Sequence, residues 1–306
     1  MKHVVTLIDD PQRAQLQVRH VEAVCSALRS SGATPVDVDW LAEGVACDLP
    51  FSWPEQGDTA SLEQDLRQAL GDVSLDLAVQ PAAGRRKRLL VADLESTIIQ
   101  QEMLDELGEL IGKREKIATI TERSMRGELN FEQALTERVA LLAGLSEADL
   151  ASASKRMTLM AGAVTLVATL RRHGTYCALV SGGFTCFANP IGERLGFDLV
   201  RANELKLDDG TVSGEVVPPI LGRDAKLEIL LELCDGLSLS AAEAAAVGDG
   251  ANDLAMLNEA GLGVAFRGKP LVRRAARYRL DHGDLTGLLF LQGYRSSEFV
   301  IPDGSS

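Results

Sequence analysis

Four short apolar runs, each breaking off into a turn that carries carboxylates or glycines, constrain the fold of this chain most. RLLVAD (88–93), YCALVSGG (176–183), AAAVGD (244–249) and GLGVAF (261–266) are nearly continuous rather than alternating. A strand with one wet face alternates apolar and polar residues, whereas a continuous run needs cover on both faces. Segments with helical apolar spacing lie between the runs. From residue 89 onward the pattern therefore predicts an α/β fold, a Rossmann-like core with a parallel sheet and helices on its faces. Residues 101–165 do not fit a single crossover. They hold several helical stretches in succession, among them EMLDELGELIGKREKIATITERSMRG and FEQALTERVALLAG. That interval is predicted to be a helical cap inserted after the first core strand, leaving 89–100 and 166–306 as the core.

Residues 1–80 read as a separate small α+β module. HVVTLI (3–8), the alternating PVDVDWL (35–41) and VSLDLAVQP (73–81) predict strands. QVRHVEAVCSALRSSG (17–32) and SLEQDLRQAL (61–70) predict helices. This order fits a ferredoxin-like or ACT-like domain, with residues 42–60 left as a loop. PAAGRRKR (81–88) predicts a linker whose four basic residues form a solvated junction.

The formal charge of −13 gives long-range attraction the wrong sign for nucleic acid or an anionic membrane. A small anionic substrate needs only a local cation cluster or a metal. The cysteines, at 25, 47, 177, 186 and 234, are odd in number and include no CxxC pair, which predicts reduced thiols rather than a disulfide framework. With no signal-like leader and no long apolar stretch, a soluble cytoplasmic protein is expected.

Ligands of open parallel sheets bind beyond the carboxyl ends of the strands. Three of the runs end in polar clusters that would converge there: DLEST (93–97), SGGFT (181–185) and GDGAND (248–253). Lys226 opens the helical stretch before the third. Carboxylates, hydroxyls, one ammonium and glycine-exposed amides suit a phosphate together with a divalent ion. Asp93 is placed to attack phosphorus, splitting one displacement into two. Asp93 and Asp249 are the natural side-chain ligands for Mg²⁺, with the Glu95 backbone carbonyl as a third. Ser181, the Gly182 amide and Lys226 would hold phosphoryl oxygens. Asn252 and Asp253 fall where they would orient Lys226 or a metal-bound water.

In order, DxxxT, SGG, a lysine and GDGxND resemble the signature of the haloacid dehalogenase superfamily of phosphohydrolases, and within it the phosphoserine phosphatases. The resemblance covers residues 86–295, and GDGANDLAML is its most specific part. It implies an Mg²⁺-dependent hydrolysis of O-phospho-L-serine through an aspartyl-phosphate, the last step of serine biosynthesis. It also implies Glu102 for the substrate ammonium and Arg138 for its carboxylate. MRGELNF (125–131) matches a cap segment in which Met125 and Phe131 exclude water. The N-terminal module is implied to serve regulation or assembly, which leaves room for a homodimer. The family carries aspartate as acid/base two residues after the nucleophile, and this chain has Glu95. The group is the same and its unperturbed pKa is similar, but one methylene moves it on the order of 1 Å. Three other readings stand beside this one: a phosphotransferase, a phosphatase for another small phosphate, and a serine or phosphoserine sensor weakened by Glu95.

Overall fold

A computed structural model describes residues 3–53, 58–222 and 224–302, with the side chain of Met125 also outside the described set. The N-terminal module runs β1 (His3–Ile8), α1 (Val18–Ser30), β2 (Thr34–Pro35), β3 (Asp39–Ala42), β4 (Ala46–Ser52), α2 (Thr59–Leu70) and β5 (Asp76–Pro81). Its antiparallel sheet has the order β2-β4-β1-β5, with β3 also paired to β4. This is the ferredoxin-like arrangement, and one sheet face and the two helices enclose a core of Val5, Leu28, Leu49, Leu66 and Leu77.

The module contains a strand that its sequence hides. The predicted loop 42–60 holds β4, which pairs with β1 along its whole length, from His3↔Phe51 to Ile8↔Ala46. Asp48 and Pro50 disguise it, since both residues are depleted in strands. Each is accommodated by tertiary partners: Asp48 accepts from Thr6 Oγ1 at 2.7 Å, and the Pro50 carbonyl accepts from Val36 N–H at 2.9 Å. The predicted strand 35–41 is split, because the chain leaves the sheet between Pro35 and Asp39 and returns with a bulge at Trp40.

The second sheet is built on β6 (Leu89–Ala92). Four helices follow: α3 (Met103–Leu110), α4 (Arg114–Met125), α5 (Phe131–Ala140) and α6 (Glu147–Lys155). The chain continues through α7 (Ala163–Arg172), β7 (Tyr176–Phe184), α8 (Thr185–Leu195), β8 (Leu199–Asp208), β9 (Thr211–Val217), α9 (Ala225–Gly236), β10 (Ala244–Gly248) and α10 (Leu254–Glu259). It closes with β11 (Leu262–Phe266), α11 (Pro270–Ala275), β12 (Tyr278–Leu280) and α12 (Gly287–Leu291). The order β12-β11-β10-β6-β7-β8-β9 is parallel except for β9, which folds back on β8. The four apolar runs are the four central strands, and β6, β10 and β11 are buried along their whole length. Polar alternation in LVRANELKLD left the β8–β9 edge hairpin unread. Among the described residues no helix is long and apolar enough to cross a membrane.

The chain leaves β6 toward β7 on one side and returns to β10 on the other. The strand order therefore reverses at β6/β10, which opens a crevice beyond their carboxyl ends. Backbone pairing holds both lips of it, with Asp93 N–H donating to Val247 O at 3.0 Å. Two chain crossings join the four-helix insertion to this end of the sheet, and they are stitched to each other by Met160 N–H to Ile98 O and Gln100 N–H to Thr158 O, both 2.9 Å.

One feature of the basic segment 81–88 departs from the expected solvated junction. Arg85 reaches inward and pairs with Asp48, while its guanidinium also donates to Thr6 Oγ1 at 3.0 Å and to the carbonyls of Phe290 at 2.9 Å and Leu291 at 3.0 Å. A guanidinium has enough donors to satisfy both modules at once. Arg88 keeps the expected character, exposed beside Glu243.

Candidate active site

Asp93 and Asp249 stand one residue beyond β6 and β10, and Lys226 stands in the first turn of α9. The Lys226 ammonium bridges two carboxylates, lying 2.6 Å from Asp93 Oδ1 and 2.5 Å from Asp253 Oδ1. Asp253 Oδ2 accepts from Gly250 N–H at 2.8 Å, which closes the GDGAND turn on itself. All three side chains are buried. Gly248 has to be glycine, because a side-chain carbon there would lie 2.3 Å from Asp253 Cγ. Asp93 Oδ1 also accepts from Leu94 N–H at 2.8 Å.

Burial, with Asp253 and Asp249 adding repulsion, pushes the Asp93 carboxyl up, and Lys226 pulls it back. Burial pushes Asp249 up to about 6. Burial alone would lower Lys226, but Asp253 and Asp93 outweigh it and keep the lysine charged. Ligand oxygens of Asp93, Asp249 and Asp253 lie within 4.8 Å of one another. Three buried carboxylates around a single buried ammonium leave negative charge in surplus, and an all-oxygen donor set is the kind a hard divalent ion takes. The residues present fit such an ion.

Glu95 comes off the turn after β6 and reaches the insertion. Its Oε1 accepts the N–H of Met103 at 3.0 Å, one of the unpaired donors at the start of α3. Burial, and then the nearby Glu102 carboxylate, push Glu95 up to about 8. Ser96 adopts a left-handed backbone, φ 54°, and its hydroxyl donates to Glu102 Oε1 at 3.0 Å. Thr97 Oγ1 is buried with no hydrogen-bond partner among the described residues.

The insertion supplies the other wall. Asn130 and Gln133 form a reciprocal capping box at 2.8 and 3.0 Å, which sets the start of α5 and so the place of Phe131. The Phe131 ring lies over Gly182, where an added side-chain carbon would be 3.2 Å from Cζ. Arg138 lies two turns farther along α5, on the same side of the helix. Burial lowers its pKa, and Glu95, Glu102 and Asp105 oppose that shift.

The resulting cavity, about 470 Å³, brings together Asp93, Glu95, Glu102, Phe131, Arg138, Gly182, Asp249 and Asn252. Ser181, Lys226 and Asp253 lie buried beneath it. Ser181 Oγ accepts from Gly183 N–H at 2.9 Å, which shapes the SGG turn. Of the residues singled out from the sequence, Met125 alone has a side chain outside the described set.

Sequence reasoning missed three contributors. Lys269 extends over the cavity, 3.2 Å from Glu102 Oε1 and 3.3 Å from Asp249 Oδ2. Asp105 faces it from α3. Asn203 on β8 donates to the Gly182 carbonyl at 2.9 Å and accepts from Leu221 N–H at 2.7 Å, fixing the turn from behind. None lies in a strand-end cluster, so only the glycine–lysine–proline turn around Lys269 offered any signal.

The chain matches the haloacid dehalogenase-like hydrolase family over residues 90–258. It is 37% identical over 289 residues to a phosphoserine phosphatase of Mycobacterium tuberculosis, spanning 92% of this chain and 70% of the relative. It is 35% identical to a phosphoserine phosphatase of Streptomyces coelicolor, spanning 99% and 73%. The crystal structure of a probable phosphoserine phosphatase from Vibrio cholerae superposes with a TM-score of 0.77 at 31% identity, covering 95% of this chain and 86% of that one.

Proposed function

We infer, for a chain that belongs to the haloacid dehalogenase-like hydrolases and within them to the phosphoserine phosphatases, the residues that carry the hydrolysis of O-phospho-L-serine. The observation that carries the reading is the Asp93–Lys226–Asp253 chain of contacts at the β6/β10 crevice, roofed by Glu102 and Arg138.

Asp93 is the proposed nucleophile. Its Oδ1 is occupied by Lys226 and Leu94 N–H, leaving Oδ2 to form the bond to phosphorus. As that bond forms, the serine Oγ–phosphorus bond breaks, and Glu95 gives its proton to the departing oxygen. A carboxyl held near 8 is protonated at neutral pH and suited to that step. Water then attacks phosphorus, Glu95 takes a proton from it, and the Asp93–phosphorus bond breaks to release phosphate. Lys226, Ser181 and the Gly182 amide stabilise phosphoryl oxygens, with Asn252 at the rim and Asp253 orienting Lys226 from behind. Glu102 receives the substrate ammonium and Arg138 its carboxylate. Phe131 excludes water, as Met125 is proposed to do.

Mg²⁺ is the proposed ion, held by Asp93, Asp249 and the Glu95 carbonyl, and when bound it neutralises the phosphate facing Asp93. The N-terminal 1–80 module, the 81–88 linker and the 101–165 cap are proposed as functional units, with the module serving regulation or assembly, including a homodimer. Five free cysteines support a reducing cytoplasm as its location.

The test is phosphate release from O-phospho-L-serine with Mg²⁺, with and without EDTA, for the parent and Asp93→Asn. Metal-dependent release that vanishes in the variant supports the reading. Phosphoserine binding without release at high enzyme concentration would overturn it.

A further inference from the structure

Apart from the crevice, the seam between the N-terminal module and the core holds an open cavity of about 490 Å³. Arg67 of α2 lines one side, and Arg273, Arg274, Arg277 and Arg279 of α11, β12 and the turn between them line the other. Five arginines thus line one cavity in a chain of net charge −13.

Their neutralisation is incomplete. Glu63 is held by Arg67 at 2.8 Å. A single Asp281 oxygen serves two arginines, Arg273 at 2.9 Å and Arg279 at 3.6 Å. Arg274 and Arg277 have no carboxylate partner among the described residues, and Arg277 stacks instead on the Tyr278 ring at 5.1 Å. Burial, and then Arg67, lower the Arg279 pKa, while Asp281 and Glu63 oppose that shift. Guanidinium forks match the paired oxygens of phosphate and carboxylate groups, and the volume is that of a small-molecule site.

We propose that this seam binds a small polyanion, a compound with several phosphate or carboxylate groups, and that the bound anion clamps α2 of the module against α11 and β12 of the core. The ligand touches both modules, so its binding free energy adds to the stability of their docking.

The probes are inorganic tripolyphosphate and citrate, titrated calorimetrically into the full chain in metal-free, low-salt buffer. The variant is Arg274→Glu/Arg277→Glu, whose two side chains are exposed and without ion pairs, so it folds as the parent does. At least one probe is expected to bind the parent, and the variant to bind it at least about tenfold more weakly. Phosphate release from phosphoserine in the absence of probe stays unchanged. Tighter binding of tripolyphosphate assigns a phosphorylated ligand, and tighter binding of citrate a polycarboxylate. The proposal is overturned if neither probe binds the parent, or if both bind the variant as tightly as the parent.

Discussion

Glu95 and Gly183 are fitted to each other: a methyl group on Gly183 would stand 2.9 Å from Glu95 Oε1. The bare backbone of the SGG turn leaves room for the extra methylene by which Glu95 exceeds the family's aspartate. The same carboxylate oxygen accepts Met103 N–H, so Glu95 is held between the sheet end and the first helix of the insertion.

Gly183→Ala is therefore expected to displace the Glu95 carboxylate and lower kcat for phosphoserine by about a hundredfold, the scale of a 1 Å misplacement. Adding Glu95→Asp to that variant withdraws the clashing oxygen and restores part of the loss. Steady-state kinetics on the two variants decide it; an unimpaired Gly183→Ala would show that the close approach has no bearing on turnover.

Glu95→Gln keeps an acceptor for Met103 N–H but removes the transferable proton. It is expected to cost about 10²–10⁴ in kcat, with KM little changed because the ammonium and carboxylate contacts are untouched. Glu95→Asp, which retains an acid but loses the reach to Met103, falls between parent and Gln. Equal kcat for parent and Gln would remove Glu95 from the proton path.

The pH profile follows from the same group. With its carboxyl pushed up to about 8, Glu95 is protonated below that pH and loses its proton above it. A rate limited by protonation of the departing oxygen is then full on the acid side and falls about tenfold per pH unit above the pKa. Profiles of kcat/KM from pH 6 to 10, which report the free enzyme, are expected to show this alkaline limb in the parent and to lack it in Glu95→Gln.

Lys226→Met leaves Asp93 and Asp253 buried without their cation. Phosphate release is expected to vanish, and stability to fall by about 3–5 kcal/mol, the cost of removing one member of a buried ion pair. The Asp93 carboxyl, already pushed up by burial and now without Lys226 to oppose it, carries a proton more readily in the folded state than in the unfolded chain. Its contribution is favourable at low pH and is lost as pH rises through the folded pKa. Denaturant unfolding at pH 5 and pH 8 checks this: the deficit must be larger at pH 8.

At the seam, Arg85→Ala strands Asp48 in a buried site and is expected to destabilise the chain by about 3 kcal/mol or more. Arg88→Ala, which removes only the exposed pair with Glu243, is expected to leave the melting temperature nearly unchanged. Comparable melting shifts for the two variants would mean that Arg85 is not holding the modules together.

The sequence by itself determined the core and the ingredients of its site. Runs such as RLLVAD and AAAVGD announce doubly covered strands because burial on both faces excludes polar residues. The residues that stop them, Asp93 and Asp249, must then lie together where parallel strands end. Elements whose cover is supplied from afar were not legible. β4 reads as loop because Asp48 and Pro50 find their partners in Thr6, Arg85 and Val36, and β8 reads as solvated because it lies near the sheet edge. Asn203 and the five seam arginines were silent for the same reason. Periodicity records how a segment meets solvent, whereas the partner of an isolated charge depends on which distant segment the fold brings within about 3 Å of it. Only the tertiary structure decided that Arg85 is a buried tie rather than a solvated linker residue, and that glutamate has room beside Gly183.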